Sequence, residues 1–452
     1  MRTVPFISRK PGRPVLLAAL CTVMISACGR STDNKTTPAP QDPATAQAPT
    51  PGATIVRSVA TTDEPIVLPS PATGLAFWEH PTLPFEGMVI AATQNGLYAH
   101  QPEGTEAQTV IADFRAHGAA LAYLPGGFFA DTSPPDGPVS AARGLFVSYD
   151  LDQSAYRFFG IDNVSGTLAE DFLSLPVQTQ RARPIDFCLT ASGDAQEGVQ
   201  FSLVALERGA LSVYRFGKPK NAGAQTSGWS ISSQTYPTTL EALSCATDPG
   251  TDRLLILDVD GTIHTLNPAS GTTEALFNTG VQQSAGLGIH QRTVGEDDNS
   301  RPEKLVFVVD GTSGQVDLFT LVDGTRVGAV RLTAFDVNEG VIETSALAVS
   351  SGNFGGLYRA GVVALAAKSD LFKADDGTQP TAQGSEPQAS YETDLRSRAG
   401  VNAIRLTPFV AVSNALGLAS ATVISERPRP QTAGSDAIPD IEIDFALEPV
   451  IP

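Results

Sequence analysis

The sequence predicts an all-β protein built from repeated antiparallel hairpins, and two observations support this prediction. Short apolar stretches with period-two alternation recur along the chain, separated by turns rich in Gly, Asp, Asn or Pro, whereas helical periodicity is nearly absent. The same hairpin unit returns again and again, which is typical of folds that repeat one supersecondary unit around an axis. We therefore expect a six-bladed β-propeller.

The repeated unit is clearest at residues 254–266. An apolar strand, Leu254–Leu257, precedes an Asp-Gly turn at Asp260-Gly261, an alternating strand runs to Leu266, and Asn267-Pro268 breaks the pattern. Related units occur at residues 144–150, 202–209 and 305–311. Each unit follows an earlier apolar strand that would line a central channel in a propeller.

These inner strands set the expected blades. Intervals of roughly 40 to 65 residues fit four-stranded blades with loop insertions. Two polar stretches, from Phe129 to Ala141 and from Ala374 to Ala399, are expected to be surface loops. A pair of β-sandwiches or a parallel β-helix is the alternative, but a closed ring also removes exposed strand edges. The six inner strands are expected to open near Gly74, Gly118, Ile185, Glu241, Gly286 and Ser345.

Residues 1–27 have the layout of an export signal, in which basic residues precede an apolar run and small residues. The run, Val15–Leu20, is too short to span a bilayer as a permanent helix. Ile25-Ser26-Ala27-Cys28 resembles a lipobox, the site at which a lipid is attached to the cysteine and cleavage leaves that cysteine first. An ordinary secretory signal with a chance cysteine is the alternative.

The remaining chain divides by composition. Residues 28–52 are rich in Thr, Pro, Ala and Gln and predict a disordered tether, because so little apolar surface cannot offset the entropy lost on ordering. Residues 53–425 carry the propeller pattern, and residues 426–452 form a Pro-rich, acidic tail. Gly29 rather than Asp after Cys28 favours sorting to the outer membrane. We expect a lipid-anchored protein of the bacterial cell envelope, facing the periplasm or the exterior.

The cysteine content predicts a disulfide, and the net charge excludes some classes of binding partner. Of the four cysteines, Cys21 leaves with the signal and Cys28 carries the lipid, so Cys188 and Cys245 remain in an oxidising compartment, where a disulfide between them is expected. Two unrelated buried thiols are the alternative. The formal net charge of -18 argues against nucleic acid as a partner, because phosphate backbones attract clustered cations. A monomer is expected.

Three sets of motifs in register resemble the β-propeller phytases, which are calcium-dependent phosphatases. Glu64-Pro65-Ile66, followed by Ala76–Pro81, is similar to the family's E-P-V and A-I-W-V-H-P. Leu240–Leu243 and Asp252–Asp258 match V-E-G and G-R-L-Y-I-A-E-E in position. Glu343–Val349 resembles E-T-D-G-I-x-V. The order and spacing agree from about Ala53 to about Val410.

The resemblance implies a site at the mouth of the channel. Acidic residues there would hold Ca²⁺, which prefers oxygen ligands, and the bound ions would activate water and bind substrate phosphates. Glu241, Asp258 and Glu343 are the catalytic candidates under this resemblance, and Arg208 would bind substrate. The implied metal ligands are Glu241, Asp258, Asp310, Glu343 and Asp186.

Several family groups are missing here. The paired aspartates before A-I-W correspond to Thr73 and Gly74, and two phosphate-binding lysines correspond to Gln94 and Asn95. The family's D-I-E-G-L reads Gln283–Leu287. The aspartate of E-T-D-G is Ser345, and an arginine is replaced by Cys188.

Two functions from different classes therefore stand. One is a phosphomonoester hydrolase that acts on phytate or another phosphorylated compound with Ca²⁺. The other is a catalytically degenerate propeller that binds a ligand or protein partner in the cell envelope. Asp258, Asp260 and Asp310 also have a simpler interpretation as turn residues. The five histidines show no metal-binding spacing, and no Gly-rich phosphate loop or G-x-S-x-G motif occurs.

Overall fold

The computed structural model describes most of residues 55–423. The described ranges are 55–61, 66–102, 108–112, 114–124, 142–170, 177–178, 183–194, 198–219, 229–249, 251, 253–295, 300–333, 343–367, 402–419 and 421–423. The predicted signal peptide, Cys28, the tether, the C-terminal tail and both predicted surface loops lie outside these ranges, as do Glu64, Pro65 and Asp252.

Six antiparallel sheets form the blades of a β-propeller. Two strands precede them, β1 (Val56–Ala60) and β2 (Ile66–Leu68). Blade 1 contains β3 (Ala72–Trp78), β4 (Met88–Thr93), β5 (Gly96–His100) and β6 (Gln108–Ile111). Blade 2 contains β7 (Ala116–Leu124), β8 (Arg143–Asp150), β9 (Ala155–Ile161), β10 (Leu168–Ala169) and β11 (Val177–Gln178). Blade 3 contains β12 (Asp186–Asp194), β13 (Gly198–Glu207), β14 (Ala210–Pro219) and β15 (Ser230–Pro237).

The second half of the ring repeats this arrangement. Blade 4 contains β16 (Ala242–Thr247), β17 (Leu254–Asp258), β18 (Thr262–Asn267) and β19 (Thr272–Asn278). Blade 5 contains β20 (Ser284–Val294), β21 (Arg301–Asp310), β22 (Gln315–Thr320) and β23 (Arg326–Thr333). Blade 6 contains β24 (Thr344–Ser350), β25 (Val362–Ala367) and β26 (Asn402–Pro408). Helix α1 (Phe409–Leu416) and β27 (Ala421–Val423) follow.

The ring is closed by strands from the start of the described chain. β2 pairs antiparallel with β26 and is the outermost strand of blade 6. β1 pairs in parallel with β23 at the outer edge of blade 5. Both pairings join residues that are more than 200 positions apart, so closure links the beginning of the propeller to its end. The start of the propeller thus supplies the outer strand of its last blade.

Apolar side chains pack between the blades. Six clusters of buried residues are present, and each joins one pair of neighbouring blades. The period-two alternation makes this possible, because successive side chains of a strand point to opposite faces of its blade. Burial of each large apolar side chain stabilises the fold by about 1.5–3 kcal/mol.

Helix α1 fastens blade 6 to blade 5. It follows Pro408 and ends at Leu416, and the next residue, Gly417, provides a left-handed cap with a φ of 65°. The Phe409 ring stacks on the imidazole of His290, with ring centroids 3.6 Å apart. No helix in the described part of the chain is long and apolar enough to cross a membrane.

The structure confirms the predicted propeller and its six inner strands. These strands begin at Ala72, Ala116, Asp186, Ala242, Ser284 and Thr344, within two residues of the expected positions. The turn at Asp260-Gly261 is also present, and Gly261 has a φ of 79°, which a residue with a Cβ rarely adopts.

Candidate functional site

A central channel of about 1160 Å³ runs along the propeller axis. It is lined mainly by the inner strands of all six blades. These strands all start at the same end of the ring, because every blade is antiparallel and the blades repeat in the same orientation. We call this end the mouth. In blades 1 to 5, the turns between the second and third strands lie at the mouth as well.

Five inner strands present a residue to the mouth through a β-bulge. The register of the inner strand against the second strand shifts near its start in blades 1, 2, 4, 5 and 6. Blade 3 keeps a continuous register from its first residue. A bulge redirects a side chain out of the regular alternation. The five residues at these bulges and Asp186, the first residue of the regular inner strand of blade 3, line the channel and are called the mouth ring: Thr73, Ala119, Asp186, Leu243, Ala285 and Ser345.

The polar members of the mouth ring hydrogen-bond to the next blade. Thr73 Oγ1 lies 3.2 Å from a backbone carbonyl oxygen of blade 2. Asp186 Oδ2 accepts the backbone N–H of Cys245 in blade 4 at 3.0 Å. Ser345 Oγ donates to a carbonyl oxygen of blade 1 at 2.7 Å. These side chains therefore hold neighbouring blades together at the mouth.

Asp186 carries the negative charge of the mouth ring. Its Oδ1 accepts the N–H of Phe187 at 2.9 Å, so both carboxylate oxygens have backbone donors. Burial raises the pKa of Asp186 to about 6, although the backbone hydrogen bonds from Cys245 and Phe187 oppose this rise. The carboxyl group therefore changes charge close to neutral pH.

His117 and Arg183 form a second polar group at the mouth. An Arg183 guanidinium nitrogen lies 2.9 Å from His117 Nδ1. Because a guanidinium can only donate, Nδ1 accepts and the ring hydrogen is on Nε2. Nε2 then donates to the carbonyl oxygen of Pro184 at 3.2 Å. Burial and the adjacent Arg183 lower the pKa of His117 to about 4, so the imidazole is neutral at physiological pH.

Below the mouth ring the surface of the channel is about half polar and half apolar. Arg183 and Asp186 are the only charged side chains among the described residues that line the channel. Apolar residues contribute to the lining, although most of these side chains are buried between blades; they include Leu75, Leu121, Leu189, Leu287, Ile289 and Leu347. The channel therefore offers a polar end at the mouth and some apolar surface inside.

The acidic residues that the sequence predicted for the site all lie at the mouth end, but among the described residues they do not form a cluster that could hold a metal ion. Glu241 and Glu343 directly precede the inner strands β16 and β24, and both are exposed. Arg208 is exposed in the turn between β13 and β14. None of these three lines the channel, whereas Asp186 does.

Asp258 has local hydrogen-bond partners in its turn. Its Oδ1 accepts the backbone N–H groups of Asp260 and Thr262 at 3.0 and 2.9 Å. Its Oδ2 lies 2.8 Å from His264 Nε2. These contacts are those of a turn residue, as the simpler interpretation of the sequence expected.

Asp310 is engaged in the same way in blade 5. Its Oδ1 accepts from the backbone N–H and the hydroxyl of Thr312 at 2.8 and 2.7 Å. Partial burial opposes ionisation, yet the hydrogen bonds from Thr312 and Ser313 hold the pKa of Asp310 below its ordinary value. A carboxylate can bind Ca²⁺ through one or both oxygens, and in Asp310 Oδ1 is engaged by the turn.

The described residues therefore do not fit a calcium cluster. No group of three or more His, Cys, Asp or Glu side chains in the described ranges is arranged to hold a metal ion. Asp258 and Asp310 have turn partners, and Asp186 bonds to two backbone N–H groups. The expectation of calcium rests on the sequence resemblance alone.

Cys188 and Cys245 form a disulfide in the channel wall. They lie in the inner strands of neighbouring blades, with Cα atoms 6.1 Å apart. Both sulfur-bearing side chains are buried. The bond links β12 to β16 directly beneath the contact between Asp186 and the Cys245 backbone.

Sequence reasoning missed His117 and Arg183. Neither belongs to a recognisable motif, and their contact joins residues 66 positions apart. Gly74, at which the resemblance would place an aspartate, lies too close to blade 2 for a side chain. A Cβ at Gly74 would meet the backbone nitrogen of Ala119 at 2.4 Å, so blades 1 and 2 approach too closely for any side chain.

Comparison with known proteins adds no relative. Neither the scan against models of protein families nor the search of curated proteins found a match.

Proposed function

We propose that this protein is a lipid-anchored protein of the cell envelope whose propeller binds a small molecule at the channel mouth without catalysis. One observation supports the proposal above the others. The mouth ring presents few charges above a channel whose surface is about half apolar, and its polar groups hold the blades together. A concave cavity with apolar surface and a few convergent polar groups is the usual form of a small-molecule site. Anchoring through Cys28 is part of the proposal, and metabolic lipid labelling that Cys28→Ser abolishes would test it.

Blocking the mouth tests the binding function. Leu243 belongs to the mouth ring and is half-buried, so Leu243→Trp should fill the opening. Leu276→Trp is the matched control, because Leu276 is an exposed leucine of the outer strand of the same blade. A small-molecule library would be screened by saturation-transfer NMR against the mature chain. We expect ligands whose signal disappears in Leu243→Trp and persists in Leu276→Trp. If no compound distinguishes the two variants, the proposal is wrong.

A calcium-dependent phosphomonoester hydrolase is the second candidate. The placement of Glu241, Asp258, Asp310 and Glu343 at the same end of the ring favours it. The turn contacts of Asp258 and Asp310 count against it, because carboxylates engaged in a turn are poor bridging ligands. Phosphate release from phytate, measured with and without calcium, separates this candidate from the binding function.

A further inference from the structure

Arg183 is a positive charge held over the channel by a neutral partner. The arginine is exposed, lines the channel and contacts His117, which is only 8% exposed. His117 is itself oriented by its hydrogen bond to the carbonyl oxygen of Pro184. A neutral imidazole fixes the direction of the guanidinium without cancelling its charge.

The charge of Arg183 is not neutralised by an acid. Among the described residues, no carboxylate forms an ion pair with Arg183, not even Asp186, which lines the same mouth. Arg115, at the start of the neighbouring blade, shows the contrast, because it pairs with Asp152 at 3.3 Å and lies outside the channel lining. Arg183 can therefore offer its remaining N–H groups to an anion.

The charged residues near Arg183 favour an anion that carries a single negative charge. Arg183 and Asp186 are the only charged side chains among the described residues that line the channel, and Glu241 and Glu343 lie exposed at the same end of the propeller. A dianion such as a phosphate monoester would meet more negative than positive charge there, and like charges repel. A carboxylate has one charge and matches the planar fork of an arginine.

We propose that the channel binds an amphipathic monocarboxylate, with its carboxylate on Arg183 and its apolar chain in the channel. This inference rests on the proposed binding function and names the chemical class of the ligand. The apolar part of the channel surface contributes affinity by burying the chain. His117 is a positioning residue, since it holds Arg183 and does not itself meet the ligand charge.

Decanoate and decan-1-ol are suitable probes, because they share an apolar chain and differ at the polar end, and acetate carries the charge without the chain. Binding of each to the mature chain would be measured by isothermal titration calorimetry. We expect decanoate to bind about tenfold more tightly than decan-1-ol, since a charged hydrogen bond contributes on the order of 1.5 kcal/mol. Arg183→Gln should remove that difference by weakening the binding of decanoate. Arg115→Gln is the matched control and should preserve the difference.

Several results would overturn the inference. Equal affinity for decanoate and decan-1-ol, an unchanged preference in Arg183→Gln, or acetate binding as tightly as decanoate would each exclude the assigned ligand class. Lack of binding by all three probes would do so as well. In each case the binding function would stand if library ligands were still lost in Leu243→Trp. Equal melting temperatures of wild type and Arg183→Gln would show that the variant is folded.

Discussion

Asp186 makes a structural contact between two blades, and its carboxyl group changes charge close to neutral pH. Its carboxylate joins blade 3 to blade 4 by accepting the N–H of Cys245, yet burial raises its pKa to about 6. The family resemblance implied that this residue is an acid at the mouth, but a resemblance in sequence does not show where the oxygen lone pairs point. The same holds for Asp258, whose lone pairs are taken by its own turn. At this scale, the hydrogen-bond partners of a carboxylate determine which of its lone pairs are available to a ligand or a metal ion.

The raised pKa of Asp186 predicts a pH-dependent stability. The folded state holds the proton more tightly than the unfolded chain, whose pKa is about 3.8. The stabilising effect of protonation is therefore complete below about pH 4 and is lost as pH rises through about 6. We therefore expect the free energy of unfolding of wild type, minus that of Asp186→Asn, to decrease as pH rises through this window. The reason is that the folded state binds up to about one proton more than the unfolded chain there.

Urea unfolding of both proteins at pH 4, 5, 6 and 7 measures this difference. Asp260→Asn removes an exposed acid at the same end of the ring and controls for the loss of charge. A difference between wild type and Asp186→Asn that stays constant from pH 4 to pH 7 would contradict the raised pKa.

At the scale of strands, features with local signals in the sequence could be predicted, whereas features that depend on pairing between two strands could not. The inner strands were predictable, because alternation and turn residues are local signals, and the strand after Asp260-Gly261 begins where expected. The bulges that turn Leu243 and Ser345 into the channel were not predictable, since a bulge is a property of two strands in register. Closure by β2 was equally hidden, because its partner β26 is remote in sequence. The mouth ring could therefore be inferred as a location but not as a set of residues.

The disulfide between β12 and β16 should stabilise the ring. Cys188 and Cys245 are separated by 57 residues, and a cross-link of that span restricts the unfolded chain. Replacing both with Ser should lower the free energy of unfolding by about 2–4 kcal/mol. Guanidinium unfolding of wild type and the double variant measures the loss, with reduced wild type as the control. Titration of two free thiols in the denatured, unreduced mature protein would show that the bond does not form.

The whole molecule is a ring whose ends meet. Strands β1 and β2 complete blades 5 and 6, and helix α1 packs its Phe409 against His290 of blade 5. Closure joins the last blades to the start of the propeller, so each blade packs against two neighbours. A mouth formed by paired strands suits selective binding, since little ordering is needed when a ligand enters a preformed site. The net charge of -18 is carried mainly outside this channel.

Calcium dependence is the property of the whole protein that separates the two candidate functions. A ligand that binds only the folded state raises the melting temperature by mass action. Because the turn contacts of Asp258 and Asp310 engage their carboxylates, we expect millimolar calcium to leave the melting temperature of the mature chain unchanged and phytate to release no phosphate. Differential scanning fluorimetry and a colorimetric phosphate assay, each with calcium and with a chelator, measure both. Glu241→Gln/Glu343→Gln keeps the shape of two exposed acids and removes their charge. A calcium-induced rise that shrinks in this double variant, together with phosphate release from phytate, would refute the binding function and establish the hydrolase.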